Sequence, residues 1–254
     1  MAQLYNGDCL EVLKTLADSS IDLVITDLPY GQTSCDWDIA IDMTKLWDQL
    51  LRVGKDNTAY IFFCTTKFGY SLIESNKKMF RYDLVWEKPN SRCGFLNAKK
   101  MPLRKHEMVY IFYKKLPTYN IEDNHLTLRE SVLGEEKGNN GNYIYSKYKA
   151  GGRGGMYEPS LPGSVISYNV NGNGKRKHPT EKPQGILEWL IKYYSKQGNV
   201  VLDPTMGSGS TGVACKTLGR TFIGIEMNKE HYDVASAQIS PPVVPEEIAS
   251  ASIV

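Results

Sequence analysis

Two short stretches of this chain carry side chains that could do chemistry together. The first reads Asp27-Leu28-Pro29-Tyr30 and closes the apolar run Ile21–Thr26. The Asp27 carboxylate and the Pro29 carbonyl would offer two acceptors on a turn that proline stiffens. Tyr30 adds a flat aromatic face. Two acceptors and an aromatic plane suit an amine carried on a planar ring. The second stretch reads Asp203-Pro204-Thr205-Met206-Gly207-Ser208-Gly209-Ser210-Thr211-Gly212 and follows the run Asn199–Leu202. Its glycines let the backbone come close to a ligand, and a helix starts behind them. Glu226 closes the next apolar run and adds a second carboxylate.

Both stretches need strands that end at one edge of a sheet. Short runs rich in Val, Ile, Phe and Tyr predict strands at Asp22–Asp27, Ala59–Cys64, Tyr82–Trp86, Val109–Tyr113, Val200–Asp203 and Thr221–Glu226. Helical spacing predicts helices at Leu10–Leu16, Met43–Leu51, Lys67–Lys77, Ile186–Tyr194, Thr211–Thr217 and Lys229–Ile239. Strand and helix alternate, which predicts an α/β fold, a doubly wound and mostly parallel sheet with helices on both faces. Such sheets bind ligands outside the carboxyl ends of their strands, where both loops would then lie.

Length and composition set the frame. The chain has 254 residues and is 41% hydrophobic, enough for one large core or one domain with an insertion. No apolar run approaches the ~18 residues that span a bilayer, and no signal-peptide pattern opens the chain. The five cysteines are scattered, with no Cys-x-x-Cys. They predict reduced thiols in a cytoplasmic protein and no zinc site, and the four dispersed histidines add no metal centre. The net charge is only +2, yet Arg92–Lys182 holds 16 Lys/Arg against 8 Asp/Glu. A basic middle inside a mildly acidic frame predicts a local surface for a polyanion.

Asp27-Leu28-Pro29-Tyr30 placed before Gly207-Ser208-Gly209 resembles the permuted, β-group DNA amino-methyltransferases, in which a D/N-P-P-Y motif precedes the S-adenosylmethionine loop. Leu28 stands where that motif has its first proline. The resemblance implies a Rossmann-like class I methyltransferase fold, S-adenosylmethionine as cofactor, DNA as partner, and transfer to N6 of adenine. That amine is a weak nucleophile because its lone pair is delocalised into the ring. Accepting both its hydrogens at Asp27 and at the Pro29 carbonyl would pull the nitrogen toward sp3. Tyr30 would stack on the base after rotation out of the duplex. On the cofactor side the resemblance implies Asp203, Thr205, Gly207, Gly209, Ser210, Thr211 and Glu226, the last on the ribose hydroxyls. His178-Pro179-Thr180-Glu181-Lys182-Pro183 looks like the family's H-P-T-x-K-P segment and places Lys182 beside the cofactor. Asp8 and Cys9, before the first helix, are carried over to its adenine, although Asp8 also reads as an ordinary N-cap.

Two other readings stay open at this stage. Cytosine N4 is the alternative target, against which the Asp at position 27 speaks, since Ser is usual there. A nicotinamide-dependent oxidoreductase is the alternative class, because Gly207–Gly212 formally fits G-x-G-x-x-G with Glu226 beyond it. Asp203–Met206 stands between strand and glycine and argues against that class.

The organisation follows. Residues 1–117 and 177–240 form the catalytic domain. Residues 118–176, rich in Gly, Asn and Tyr, form an irregular target-recognition insertion. Residues 241–254 form a poorly ordered tail. Arg153, Lys175, Arg176 and Lys177 are expected on DNA phosphates. Pairing with a second copy of the chain is a rival use of the middle segment.

Overall fold

The computed structural model describes residues 1–29, 41–121, 123, 129–130, 156–157, 161–170 and 181–240. An eight-stranded sheet carries the fold. Its strands are β1 (Ala2–Asn6), β2 (Ile21–Thr26), β3 (Gly54–Cys64), β4 (Phe80–Glu87), β5 (His106–Phe112), β8 (Val165–Ser167), β9 (Val200–Asp203) and β10 (Thr221–Glu226). The order across the sheet is β1-β10-β9-β2-β3-β5-β4-β8. All neighbours run parallel except β3–β5 and β5–β4. The helices are α1 (Cys9–Thr15), α2 (Met43–Val53), α3 (Thr66–Ser75), α4 (Gln184–Tyr194), α5 (Ser210–Thr217) and α6 (Lys229–Ile239).

Alternation along the strands builds two cores. Leu23, Ile25, Ile61, Phe63, Leu84, Trp86, Val109 and Ile111 face α4, α5 and α6. Val24, Tyr60, Phe62, Tyr110 and Phe112 face α1, α2 and α3. A strand buried on both faces reads as a continuous apolar run, as Leu23–Ile25 does. Trp47 of α2 packs against Phe62 and Phe112 at centroid distances of 5.4 and 5.2 Å, and its indole N–H donates to Ser75 Oγ at 2.8 Å. Leu28 is buried in this second core. The side chain that replaces the motif's first proline therefore anchors the strand end in apolar packing.

Sequence and structure differ at the sheet's edges. β1 and β8 are the outermost strands, short and partly exposed, so they lack the continuous apolar run that marks buried strands. β8 lies inside the stretch expected to be irregular. The described residues group into two units, Met1–Asn120 with Ser164–Val254, and Ile121–Gly163. In the second unit β6 (Arg129–Glu130) pairs antiparallel with β7 (Met156–Tyr157). The tail expected at 241–254 lies outside the described residues. Among the described residues no helix is long and apolar enough to cross a membrane.

Candidate active site

The chain reverses its winding between β9 and β2. From β2 it crosses by α2 to β3 on one side; from β9 it crosses by α5 to β10 on the other. Where neighbouring strands part in this way, a crevice opens beyond their carboxyl ends. A cleft of about 430 Å3 lies there, walled by the ends of β2 and β9, the turn after β9 and the start of α4. Asp27, Lys182, Asp203, Thr205, Gly207, Ser210 and Thr211 all line it. A hydroxyl pair ties the two loops: Thr26 Oγ1 meets Thr205 Oγ1 at 2.7 Å, and Thr205 Oγ1 donates to the Asp27 carbonyl at 3.2 Å.

On the β9–β10 side the carboxylates are held by neutral donors. Asp203 is buried and accepts from Thr211 Oγ1 at 2.8 Å and from the Thr205 amide at 3.2 Å. Burial pushes its carboxyl up to about 7, against the opposing pull of those hydrogen bonds, and the nearby Asp27 adds to the rise. Glu226 accepts from the Gly207 amide at 2.9 Å and the Asn228 amide at 2.8 Å. The two glycines differ in task. Gly207 has φ +53° and a Cβ there would meet nothing, so its turn opens into free space. Gly209 has φ +82° and a Cβ there would lie 2.8 Å from Ala235 and Ile239, so it lets α5 pack on α6.

Asp8 caps α1, accepting from the amides of Leu10 at 2.7 Å and Glu11 at 3.3 Å. The turn before it docks on β10, with the Gly7 amide on the Glu226 carbonyl at 3.0 Å. Asp8 and Cys9 are thereby brought next to Glu226. Burial raises the Cys9 thiol to about 11, with Asp8 adding, so it is no nucleophile.

On the β2–β3–β5–β4 side the carboxylates are held by lysines. Lys182 donates to Asp27 and forms an ion pair with Glu107 at 3.6 Å; Lys88 bonds the other oxygen of Glu107. The Lys182 ammonium lies 5.1 Å from the Phe63 ring centre and that of Lys88 lies 4.4 Å from the Trp86 ring centre. Burial works against charge on Lys182, yet Asp27 and Glu107 outweigh it and raise its pKa. Burial likewise pushes Glu107 up, and Lys182 and Lys88 outweigh it, so the carboxyl sits below its usual range. Alternation explains the gathering. Leu23, Ile25 and Asp27 share one face, as do Leu84, Trp86 and Lys88, and Val109, Ile111 and Glu107. Lys182 precedes Pro183, which caps α4 and holds its predecessor extended above that face.

Lys182 thus lines the cleft, but its charge is engaged by Asp27 and Glu107 and not by the glycine turn. Pro29 follows the buried Leu28 and is half-buried. Tyr30, Arg153, Lys175, Arg176 and Lys177 lie outside the described residues. Sequence reasoning missed Glu107, Lys88 and Thr26. The signal for the first two was present: a charged residue at inward parity beside an apolar strand.

Comparison with known proteins gives the fold and the family. The chain is 29% identical over 260 residues to the type II methyltransferase M1.MboII of Moraxella bovis, covering 92% of this chain and 95% of that protein. Its fold matches the crystal structure of an M1.HpyAVI–SAM complex with TM-score 0.64 and 23% identity, covering 94% of this chain and all of that one. It also matches PvuII DNA methyltransferase, titled cytosine-N4-specific, with TM-score 0.65 and 18% identity over 97% of this chain and 89% of that one. The sheet is therefore the Rossmann-like sheet of those methyltransferases. The profile of the N6/N4 family described as DNA methylase matches residues 21–237, and the chain belongs to that family.

Proposed function

We propose that this chain transfers a methyl group from S-adenosylmethionine to N6 of an adenine rotated out of DNA. The observation that carries the reading is the Asp27 carboxylate, anchored by Lys182 at the mouth of a cleft whose other wall is the Gly207 turn. The cofactor fits the residues present. Gly207 leaves open space for a close approach, Asp203 and Glu226 flank it, and Lys182, the only cation among the described lining residues, is engaged elsewhere. Carboxylates without a free cation suit a ligand with hydroxyls, an amine and a positive charge. They suit a pyrophosphate poorly, which speaks against the nicotinamide reading.

When bound, the cofactor supplies an electrophilic methyl group on a sulfonium sulfur. Glu226 and Gly207, with Asp203 behind them, would hold it, and Asp8, Cys9, Thr205, Gly209, Ser210 and Thr211 shape the surrounding wall. Asp27 and the Pro29 carbonyl accept the two hydrogens of the target amine, and Tyr30 stacks on the base. Lys182 holds the Asp27 carboxylate aimed, so the acceptors are in place before the base arrives. Residues 118–176 read the DNA, with Arg153, Lys175, Arg176 and Lys177 on phosphates. The order of the two loops along the chain supports a reading as a permuted, β-group member.

Asp27 at the head of the tetrapeptide favours adenine over cytosine. Incubation with labelled S-adenosylmethionine and mixed-sequence DNA, then digestion to nucleosides, tests this. N6-methyl-2′-deoxyadenosine is expected. Label in N4-methyl-2′-deoxycytidine alone would reassign the base, and no label in DNA would remove the reading.

A further inference from the structure

The loop between β4 and β5, residues 88–105, enters the site as described only through Lys88 at its root. It holds six Lys/Arg (Lys88, Arg92, Lys99, Lys100, Arg104, Lys105) and no Asp or Glu. Lys88 is buried on Glu107, and Lys105 pairs with Glu87 at 3.9 Å. Arg92, Lys99, Lys100 and Arg104 are exposed and form no salt bridge with any described residue. Four uncompensated cations on one loop are costly to hold together unless a polyanion neutralises them.

Topology puts them at the edge of the sheet on which the cleft opens. β2 is parallel to β3, β3 antiparallel to β5, and β5 antiparallel to β4, so β4 ends at the same edge as β2 and Asp27. Thr26, Phe62, Tyr110 and Asp83 lie in one row, and the β4–β5 ladder runs on through Leu84, Val85, Trp86 and Glu87. At ~3.4 Å per residue the hairpin stands about 14 Å proud of that row. Its root is joined to the site, since Lys88 bonds Glu107, which pairs with Lys182 on Asp27.

The loop is also built in advance. The Cys93 amide donates to the Arg104 carbonyl at 2.8 Å, and the Arg104 amide returns the bond at 3.0 Å. Asn90 makes a two-way bond to the Val170 backbone, 2.9 Å each way. A loop already ordered loses little entropy when it binds.

We propose that residues 92–104 form a DNA-backbone contact in which Lys99, Lys100 and Arg104 grip phosphates next to the target nucleotide. This rests on the methyltransferase reading and adds a surface separate from residues 118–176. The test uses the full chain with Lys99→Gln, Lys100→Gln and Arg104→Gln together, and a fluorescein-labelled mixed-sequence 30-base-pair duplex. Binding is followed by anisotropy across a salt series. The slope of log affinity against log salt is expected to flatten by up to about 2.7, near 0.9 per lost contact. Affinity for S-adenosylhomocysteine should stay at the wild-type value. Lys114→Gln with Lys115→Gln is the matched control, because these lysines follow β5 at the opposite edge and pair with Asp56. A slope unchanged in the triple variant, or flattened equally in the control, would overturn the proposal. Wild-type protein that binds S-adenosylhomocysteine yet neither binds nor methylates DNA would instead overturn the reading beneath it.

Discussion

Two pairs of carboxylates flank one cleft, and the fold holds them by opposite means. Asp203 and Glu226 are satisfied by amides and a hydroxyl, and neither forms a salt bridge with a lysine among the described residues. Asp27 and Glu107 are satisfied by Lys182 and Lys88. Burial leaves Asp203 with a carboxyl raised to about 7, whereas the lysines draw Glu107 down against its burial. The contrast has a physical logic. A wall of carboxylates without counterions leaves room for a cationic ligand to supply the missing charge. A carboxylate anchored by a lysine keeps its direction whether or not a neutral base is present, which is preorganisation for an acceptor.

The anchored pair is the more fragile. Lys182→Met would leave Asp27 and Glu107 facing each other with one lysine fewer. Removing one partner of a buried ion pair costs ~3–5 kcal/mol. Urea denaturation of Lys182→Met should show a loss of that order. Because Glu107 shares the same ammonium, Lys182→Met combined with Glu107→Gln should lose clearly less than the sum of the two single changes. Strictly additive losses would show that the Asp27–Lys182–Glu107–Lys88 chain is not one unit, and the comparison would lose its first half.

The two pairs should also separate in function. Asp27→Ala should lower kcat by about 10²–10³, the usual effect of losing one preorganised polar partner at the reacting centre, and leave S-adenosylhomocysteine affinity unchanged. Glu226→Ala should weaken that affinity by ~1.5–3 kcal/mol, roughly ten- to a hundred-fold. Part of that loss would come from the Gly207 and Asn228 amides left without their acceptor. Calorimetry with S-adenosylhomocysteine beside steady-state kinetics reads both. Equal losses of affinity in the two variants would move Asp27 into the cofactor's half and erase the division.

The buried framework was legible in the sequence. β9, β10 and α6 begin and end where the apolar runs and caps place them, at Val200–Asp203, Thr221–Glu226 and Lys229–Ile239. β1 and β8 were not legible, because an edge strand buries too little to demand an apolar run. The two loops could be seen to face one another once their strands were assigned to a parallel sheet. The ion chain could not, because Asp27 and Lys182 lie 155 residues apart along the chain. Only the pairing of β4 with β5, and of α4 with the sheet, brings the four charges together. Lys182 shows the limit of motif reasoning: the segment was recognised, but the geometry gives its ammonium to Asp27.

The smallest expected effect separates the two pairs by pH. Asp203 is raised in the folded state, from an ordinary carboxyl near 4 to about 7. Between those values the folded protein keeps a proton that the unfolded chain has released. Stability from this group therefore falls as pH rises through that window and is level above it. Asp203→Asn keeps an acceptor for the Thr205 amide, and the Thr211 hydroxyl can turn to accept from the new amide group. Urea unfolding between pH 5 and 8 should give the variant a flatter profile than wild type, with its relative stability highest at pH 8. Glu107 carries the opposite sign. Its lowered carboxyl contributes stability above its ordinary value that is lost as pH falls through the folded one, so Glu107→Gln should alter the profile below pH 5 and leave the slope from 5 to 8 alone. Profiles of Asp203→Asn that run parallel to wild type across pH 5–8 would mean that Asp203 is ionised in the empty cleft throughout. The β9 wall would then be charged like the β2 wall, and the distinction between an anchored and an unanchored pair would fail on its electrostatic side.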